Sequence, residues 1–105
     1  MAILQRISVE PVALEAFCKR WKIAKLELFG SYSRGDATPA SDIDLLVTFA
    51  GDAEWSLIDH VHIENELSDV LGRKVDLISR AAIENSPNAL RRRAILDSAV
   101  AIYVA

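Results

Sequence analysis

Two aspartates one residue apart, Asp42 and Asp44, stand in the run Ser41-Asp-Ile-Asp-Leu-Leu-Val47. If that run is a strand, both side chains leave the same face, with Cα atoms about 6.5 Å apart along it. Ile43, Leu45 and Val47 then point the other way, into a core. Side-by-side carboxylates repel, and one is driven toward protonation unless a cation intervenes. Hard oxygen ligands suit Mg2+ or Mn2+. A third acid, Asp76, is the only charged residue in Val75-Asp-Leu-Ile78, and it joins the cluster if its strand pairs beside that of Asp42. Three carboxylates on one sheet face, with two metal ions about 3.5–4 Å apart, form the clamp that steadies attacking and leaving oxygens in phosphoryl transfer. Upstream, Gly30 allows close backbone approach, and Ser31 offers a hydroxyl where a helical turn can begin, a combination that binds phosphate oxygens. Arg34 is within reach of the same anion. These parts compose a nucleoside-triphosphate site: a phosphate cradle from 30–34 and a metal clamp from Asp42, Asp44 and Asp76.

Each part also has a plainer reading. Asp-x-Asp occurs in calcium loops, in glycosyltransferases and as two solvated surface acids. An EF-hand is excluded by Leu46, which replaces the third oxygen ligand, and by the lack of a bidentate Glu at the right distance. Asp76 alone fits an edge-strand surface acid, and Gly30 alone fits a turn. Neither a P-loop nor G-x-G-x-x-G is present, which excludes standard ATPase and Rossmann sites.

The elements that must hold these residues alternate between helix and strand. Ser8 can cap a helix whose first turn accepts Pro11. Leu14, Phe17, Cys18 and Trp21 form an i, i+3, i+4, i+7 stripe on it, with Glu15 and Lys19 paired outside. Period two begins at Lys25 and runs to Phe29, a half-buried strand ending at Gly30. A loop rich in Gly, Ser, Asp, Thr and Pro covers 30–41, and Asp42–Val47 is the second strand. Residues 55–71 are helical and end at Gly72. Leu57, His60, Ile63, Leu67, Val70 and Leu71 share one side, while Trp55, Ile58 and Val61 form a second apolar face. That second face fits either a broad contact with the N-terminal helix or a partner surface. Arg73–Ile78 is a third strand, and Asn85-Ser-Pro-Asn88 turns into a helix over Ala89–Ser98. The tail Val100–Val104 fits a strand or an extension of that helix. The expected fold class is α/β (α+β), a small mixed sheet of three to four strands with helices packed against it.

Composition bounds the remaining possibilities. The chain has 105 residues, 51% of them apolar and 26% charged, which predicts one domain over 1–105. That length is short for an enzyme holding two substrates. A net charge of −3 disfavours stable binding to duplex nucleic acid. The N-terminus lacks a signal-peptide pattern, and the longest apolar run, Ala99–Ala105, is far short of a membrane span, so the cytoplasm is the expected compartment. Cys18, the single cysteine, excludes an internal disulfide and reads as a small buried core residue. His60 and His62 face apart on a helix and form no metal pair: His60 belongs at the core margin and His62 in solvent. Arg91, Arg92 and Arg93 spread around a helix rather than forming a nucleic-acid patch, although one could meet an acidic partner. Tyr32 and Tyr103 carry hydroxyls open to modification, with nothing else to single them out.

Gly30-Ser31, ten intervening residues and Asp42-x-Asp44 together resemble the signature of the DNA polymerase β-like nucleotidyltransferases. With Arg34-Gly-Asp-Ala37 and Ser41–Val47 around them, they resemble the minimal nucleotidyltransferase (MNT) group, specifically the MntA-type antitoxins of HEPN/MNT toxin–antitoxin pairs. The resemblance covers nearly the whole chain, and no position of the core motif departs from it. It implies the nucleotidyltransferase fold, with Gly30 and Ser31 on the triphosphate and Asp42 and Asp44 on Mg2+. Asp76 would complete the site and draw the proton from the acceptor. The implied activity is type VII-like: AMP passes from ATP to a tyrosine hydroxyl of a cognate HEPN ribonuclease, silencing it, and pyrophosphate leaves. A catalytically silent antitoxin acting by occlusion is the alternative, as is a nucleotidyltransferase with a small-molecule or nucleic-acid acceptor. The intact set of three acids favours catalysis, and a single short domain disfavours the other acceptors.

Overall fold

Proline at the head of a helix is harmless because the first amides have no intrahelical partner, and α1 (Pro11–Arg20) begins there. Glu10, not Ser8, holds its N-cap position, and no side chain caps it. Ser8 lies outside the residues described by this computed structural model, which are 10–30 and 42–105. Leu14, Phe17 and Cys18 are buried as their spacing predicts, and Glu15 pairs with Lys19 at 2.7 Å on the outer side.

Lys22, at a φ of 55°, turns the chain into β1 (Ile23–Phe29). β2 is Ile43–Phe49, β3 is Val75–Ser79 and β4 is Val100–Val104. They lie in the order β3-β2-β1-β4, with β1 antiparallel to both β2 and β4 and β2 parallel to β3. The tail is therefore a strand, pairing with β1 from Lys25 to Leu28. Among the described residues the sheet is mixed, with four strands, as the expected fold class allows.

The parallel pair needs a crossover, supplied by α2 (Leu57–Leu71). Ser56 opens that helix with a capping box: its hydroxyl accepts from Asp59 N at 3.1 Å and the Asp59 carboxylate accepts from Ser56 N at 3.0 Å. Gly72, at a φ of 67°, closes it. Trp55 thus precedes the helix and does not extend an apolar helical face. It turns inward instead, donating from Nε1 to Trp21 O at 2.7 Å with the two rings edge to face, centroids 5.2 Å apart. Leu57 is likewise corrected: it is 80% exposed and leaves the core side to Ile63, Leu67 and Leu71. Leu57, Ile58 and Val61 remain in the open.

α1 and α2 cover one face of the sheet, against Leu26, Leu28, Ile43, Leu45, Val47, Val75 and Leu77. The other face is closed by α3 (Arg80–Glu84), which periodicity did not show, and by α4 (Ala89–Ser98). Ile83, Ile95, Leu96 and Ala99 pack there on Phe29, Leu46 and Ile78. β1 is therefore covered on both faces and is not half-buried. Glu27, 5% exposed, sits inside this second layer. Arg80 Nη1 holds both of its carboxylate oxygens, at 2.6 and 2.7 Å, and Arg80 Nε reaches Glu84 at 3.1 Å. No helix among the described residues is long and apolar enough to cross a membrane.

Two outcomes follow from this packing. Ile63→Ala, at a fully buried position, is expected to cost about 2–5 kcal/mol of stability. Leu57→Ser, six residues earlier on the same helix, should stay within about 0.5 kcal/mol; equal losses in urea denaturation would refute the assignment. Burial pushes the Cys18 thiol up to about 12 from an ordinary 9.0. The native state keeps this proton where the unfolded chain has lost it, so the site's contribution is whole below pH 9.0 and declines as pH rises toward 12. Denaturation between pH 9.0 and 12 should show that decline, with a shallower slope in Cys18→Ala. A thiol reagent should label the native chain far more slowly than the unfolded one.

Candidate active site

Alternation along β2 sends Ile43, Leu45 and Val47 into the α1–α2 core and Asp44 and Leu46 to the other face. Across the sheet on that second face, Asp44 is register partner to Phe29 of β1 and to Asp76 of β3. Behind this row lies another, Glu27, Leu46 and Ile78, which is apolar except for the Arg80-bound carboxylate. Asp44 and Asp76 thus stand side by side where the apolar layer stops, as expected if the two strands pair.

Gly30 follows Phe29 directly and takes a φ of 75°. A Cβ built there would lie 2.4 Å from Asp44 Oδ2, so the Asp44 carboxylate occupies the space that any other residue type would fill. Glycine is required twice over, by conformation and by this close approach. Asp42 stands one residue before β2, where Ile43 N donates to Lys74 O at 2.9 Å. Its carboxylate meets the Lys74 ammonium at 3.9 Å, an exposed pair of small worth that an ion can displace. Ser31 and Arg34 lie outside the described residues.

Asp44 and Asp76 open into a depression of about 500 Å³ whose walls include Phe29, Glu64, Arg91 and Ile95. Glu64 was not singled out from sequence, and Arg91 was named there only as one of three arginines spread around a helix. Glu64 comes from α2, with its carboxylate on Leu77 N at 2.8 Å. The Arg91 guanidinium is the cationic wall among the described residues, set one helical turn from Ile95. A polar i, i+4, i+8 series on α2 (His60, Glu64, Ser68) was the available signal for the first. His60, expected at the core margin, bonds Leu77 O through Nε2 at 2.8 Å, and His62 is exposed as expected.

Among the described residues, no three His, Cys, Asp or Glu side chains are already gathered at metal-holding spacing. The donor set nonetheless suits a hard divalent cation. Asp44 and Asp76 are adjacent, part-exposed oxygen donors, and the glycine beside Asp44 leaves its carboxylate room. Such a face can hold a cation and, through it, a polyphosphate.

A mixed sheet with paired acids at its open edge row, a glycine against one of them and helices behind is the plan of a nucleotidyltransferase. The nucleotidyltransferase domain family model matches residues 12–102, and the chain belongs to that family. Protein adenylyltransferase MntA of Thermococcus cleftensis is 34% identical over 67 residues, 64% of this chain and 66% of that protein. A Methanocaldococcus jannaschii protein named by inference as protein adenylyltransferase MJ0128 is 40% identical over 67 residues, again 64% of this chain and 66% of its own. The match thus spans about 66% of these relatives' length. A crystal structure of a toxin–antitoxin with AMP-PNP shares the fold, with a TM-score of 0.68 over 92% of this chain and 75% of that one at 21% identity. The resemblance to minimal nucleotidyltransferases stands.

Gly30→Ala should place a methyl group on the Asp44 carboxylate and a side chain at positive φ, costing about 1–3 kcal/mol. Thermal denaturation reads the loss, and amide spectra should show the largest shifts at Asp44 and its strand neighbours. Shifts confined to residue 30 and an unchanged melting temperature would contradict the contact.

Proposed function

We propose that this chain is a Mg2+-dependent protein adenylyltransferase, the antitoxin of a toxin–antitoxin pair, acting in the cytoplasm. It moves AMP from ATP to a tyrosine hydroxyl of a HEPN-domain toxin. The observation that carries the reading is the register pairing of Asp44 with Asp76 on the face opposite the core, with Gly30 against Asp44. The names of the adenylyltransferase relatives, and the nucleotide analogue in a toxin–antitoxin complex of the same fold, support it.

In this reading Gly30, with Ser31 and Arg34, receives the triphosphate, and Asp42 and Asp44 hold Mg2+ together with Asp76. Mg2+ held there would neutralise phosphate charge and make the α-phosphorus more electrophilic. Asp76 takes the proton of the incoming hydroxyl. The hydroxyl oxygen forms the new bond to the α-phosphorus, the bond to the bridging oxygen breaks, and pyrophosphate leaves with that electron pair.

Incubation with α-labelled ATP, Mg2+ and the partner toxin should label the toxin on tyrosine. Asp76→Asn is expected to slow transfer by about 100-fold or more, Asp44→Ala to abolish it, and EDTA to stop the wild type. Neutralisation of the toxin without any labelled product would establish occlusion instead. Full transfer by Asp44→Ala would sink the catalytic assignment.

A further inference from the structure

Among the described residues β3, which carries Asp76, is an edge strand with β2 as its single neighbour in the sheet. In a parallel pair, residues alternate in whether their backbone groups face the partner strand or away from it. Lys74 O accepts from Ile43 N of β2 at 2.9 Å, which leaves the groups of Val75 and Leu77 on the outer side. Outward backbone groups on an edge are a liability, open to water and to slippage.

Here three of them, Val75 N, Leu77 N and Leu77 O, are occupied by one stripe of α2. Ser68 Oγ accepts from Val75 N at 3.0 Å while donating to Glu64 O at 2.9 Å. The Glu64 carboxylate accepts from Leu77 N at 2.8 Å. His60 Nε2 donates to Leu77 O at 2.8 Å, which puts the ring proton on that nitrogen. Residues 60, 64 and 68 are successive i, i+4 positions, so a single helix face grips the strand on both sides of Asp76. We propose that the His60–Glu64–Ser68 stripe is the positioning device for Asp76: it does for the outer edge of β3 what a further strand would do, and so holds the Asp76 carboxylate beside Asp44. The proposal rests on Asp76 being the group that receives the acceptor's proton. None of the three residues needs to touch substrate. Groups that orient a reacting side chain in this way commonly change activity by tenfold or more when removed.

The test separates position from charge. Glu64→Ala should speed hydrogen exchange at Leu77 N and lower kcat for adenylyl transfer on the order of tenfold, with KM for ATP unchanged. Glu64→Gln keeps an oxygen that accepts the same N–H and should restore most of kcat. Should Glu64→Ala fail to fold, Ser68→Ala, read at Val75 N, carries the same test, with Ser68→Thr as its rescue. Glu64→Gln as slow as Glu64→Ala would overturn the proposal, because the negative charge itself would then act in the depression. Unchanged exchange, or full kcat despite faster exchange, would overturn it as well. A slow Asp76→Asn with an unimpaired Glu64→Ala removes this proposal alone; a fully active Asp76→Asn removes the reading of the site beneath it.

Discussion

Asp44 and Asp76 are direct register partners, and like charges facing each other across two strands oppose the pairing that brings them together. Everything around them offsets that repulsion. On the opposite face, Ile43 pairs with Val75 and Leu45 with Leu77, all four closed under α1 and α2. One row behind the acids, Leu46 pairs with Ile78 under α3 and α4. Burying side chains of this size contributes about 1.5–3 kcal/mol each, whereas part-exposed carboxylates repel in a medium closer to water than to protein. Burial wins, and the register is held with its acids in place. A one-residue slip would send Asp76 into the core and Leu77 out, a loss on both faces at once.

The same face handles a third acid in the opposite manner. Glu27 is one row from Asp44, yet it is sealed from water and fully engaged by Arg80, whose guanidinium also reaches Glu84. A buried ion pair of this kind adds little net stability, but losing either partner is costly. Its consequence here is geometric: it ties α3 to β1 and fixes where the second layer sits. One carboxylate on this face is held by an arginine under the second layer, while Asp44 and Asp76 lie part-exposed at the open end.

The legible and illegible parts of the fold differ for physical reasons. The helices with a stripe or strong caps were readable, as were strands with strict alternation. Asp42-x-Asp44 and Asp76 stood out because charge in an apolar strand is conspicuous, and the structure sets Asp44 beside Asp76. α3 was not readable: at five residues it is too short to show a period, and its place is set by Arg80 and Ile83 packing on β1 and β2. The strand from Lys25 to Phe29 read as half-buried because alternation cannot report a second covering layer. Leu57 and Trp55 were misplaced because the Ser56–Asp59 capping box starts the helix two residues later than hydrophobicity implied. Glu64 hid among the ordinary charges of α2, since its role depends on which strand lies beside it.

What keeps the acids open is the composition of α4. Its second half, Ile95, Leu96 and the following Ala99, supplies the apolar residues that close the second layer. Its first half is Ala89-Leu-Arg-Arg-Arg93, with Leu90 83% exposed and Arg91 at the wall of the depression. The helix therefore changes from lid to rim within one turn, between Ile95 and Arg91. Continuing the apolar stripe by that turn would extend the second layer toward Asp44 and Asp76 and cover them, placing two carboxylates under hydrocarbon at a cost no core of this size can absorb. Ending it where it does leaves the acids accessible to an ion and a polyphosphate, with a guanidinium at hand on the rim. Stability and access are divided between the two halves of one short helix.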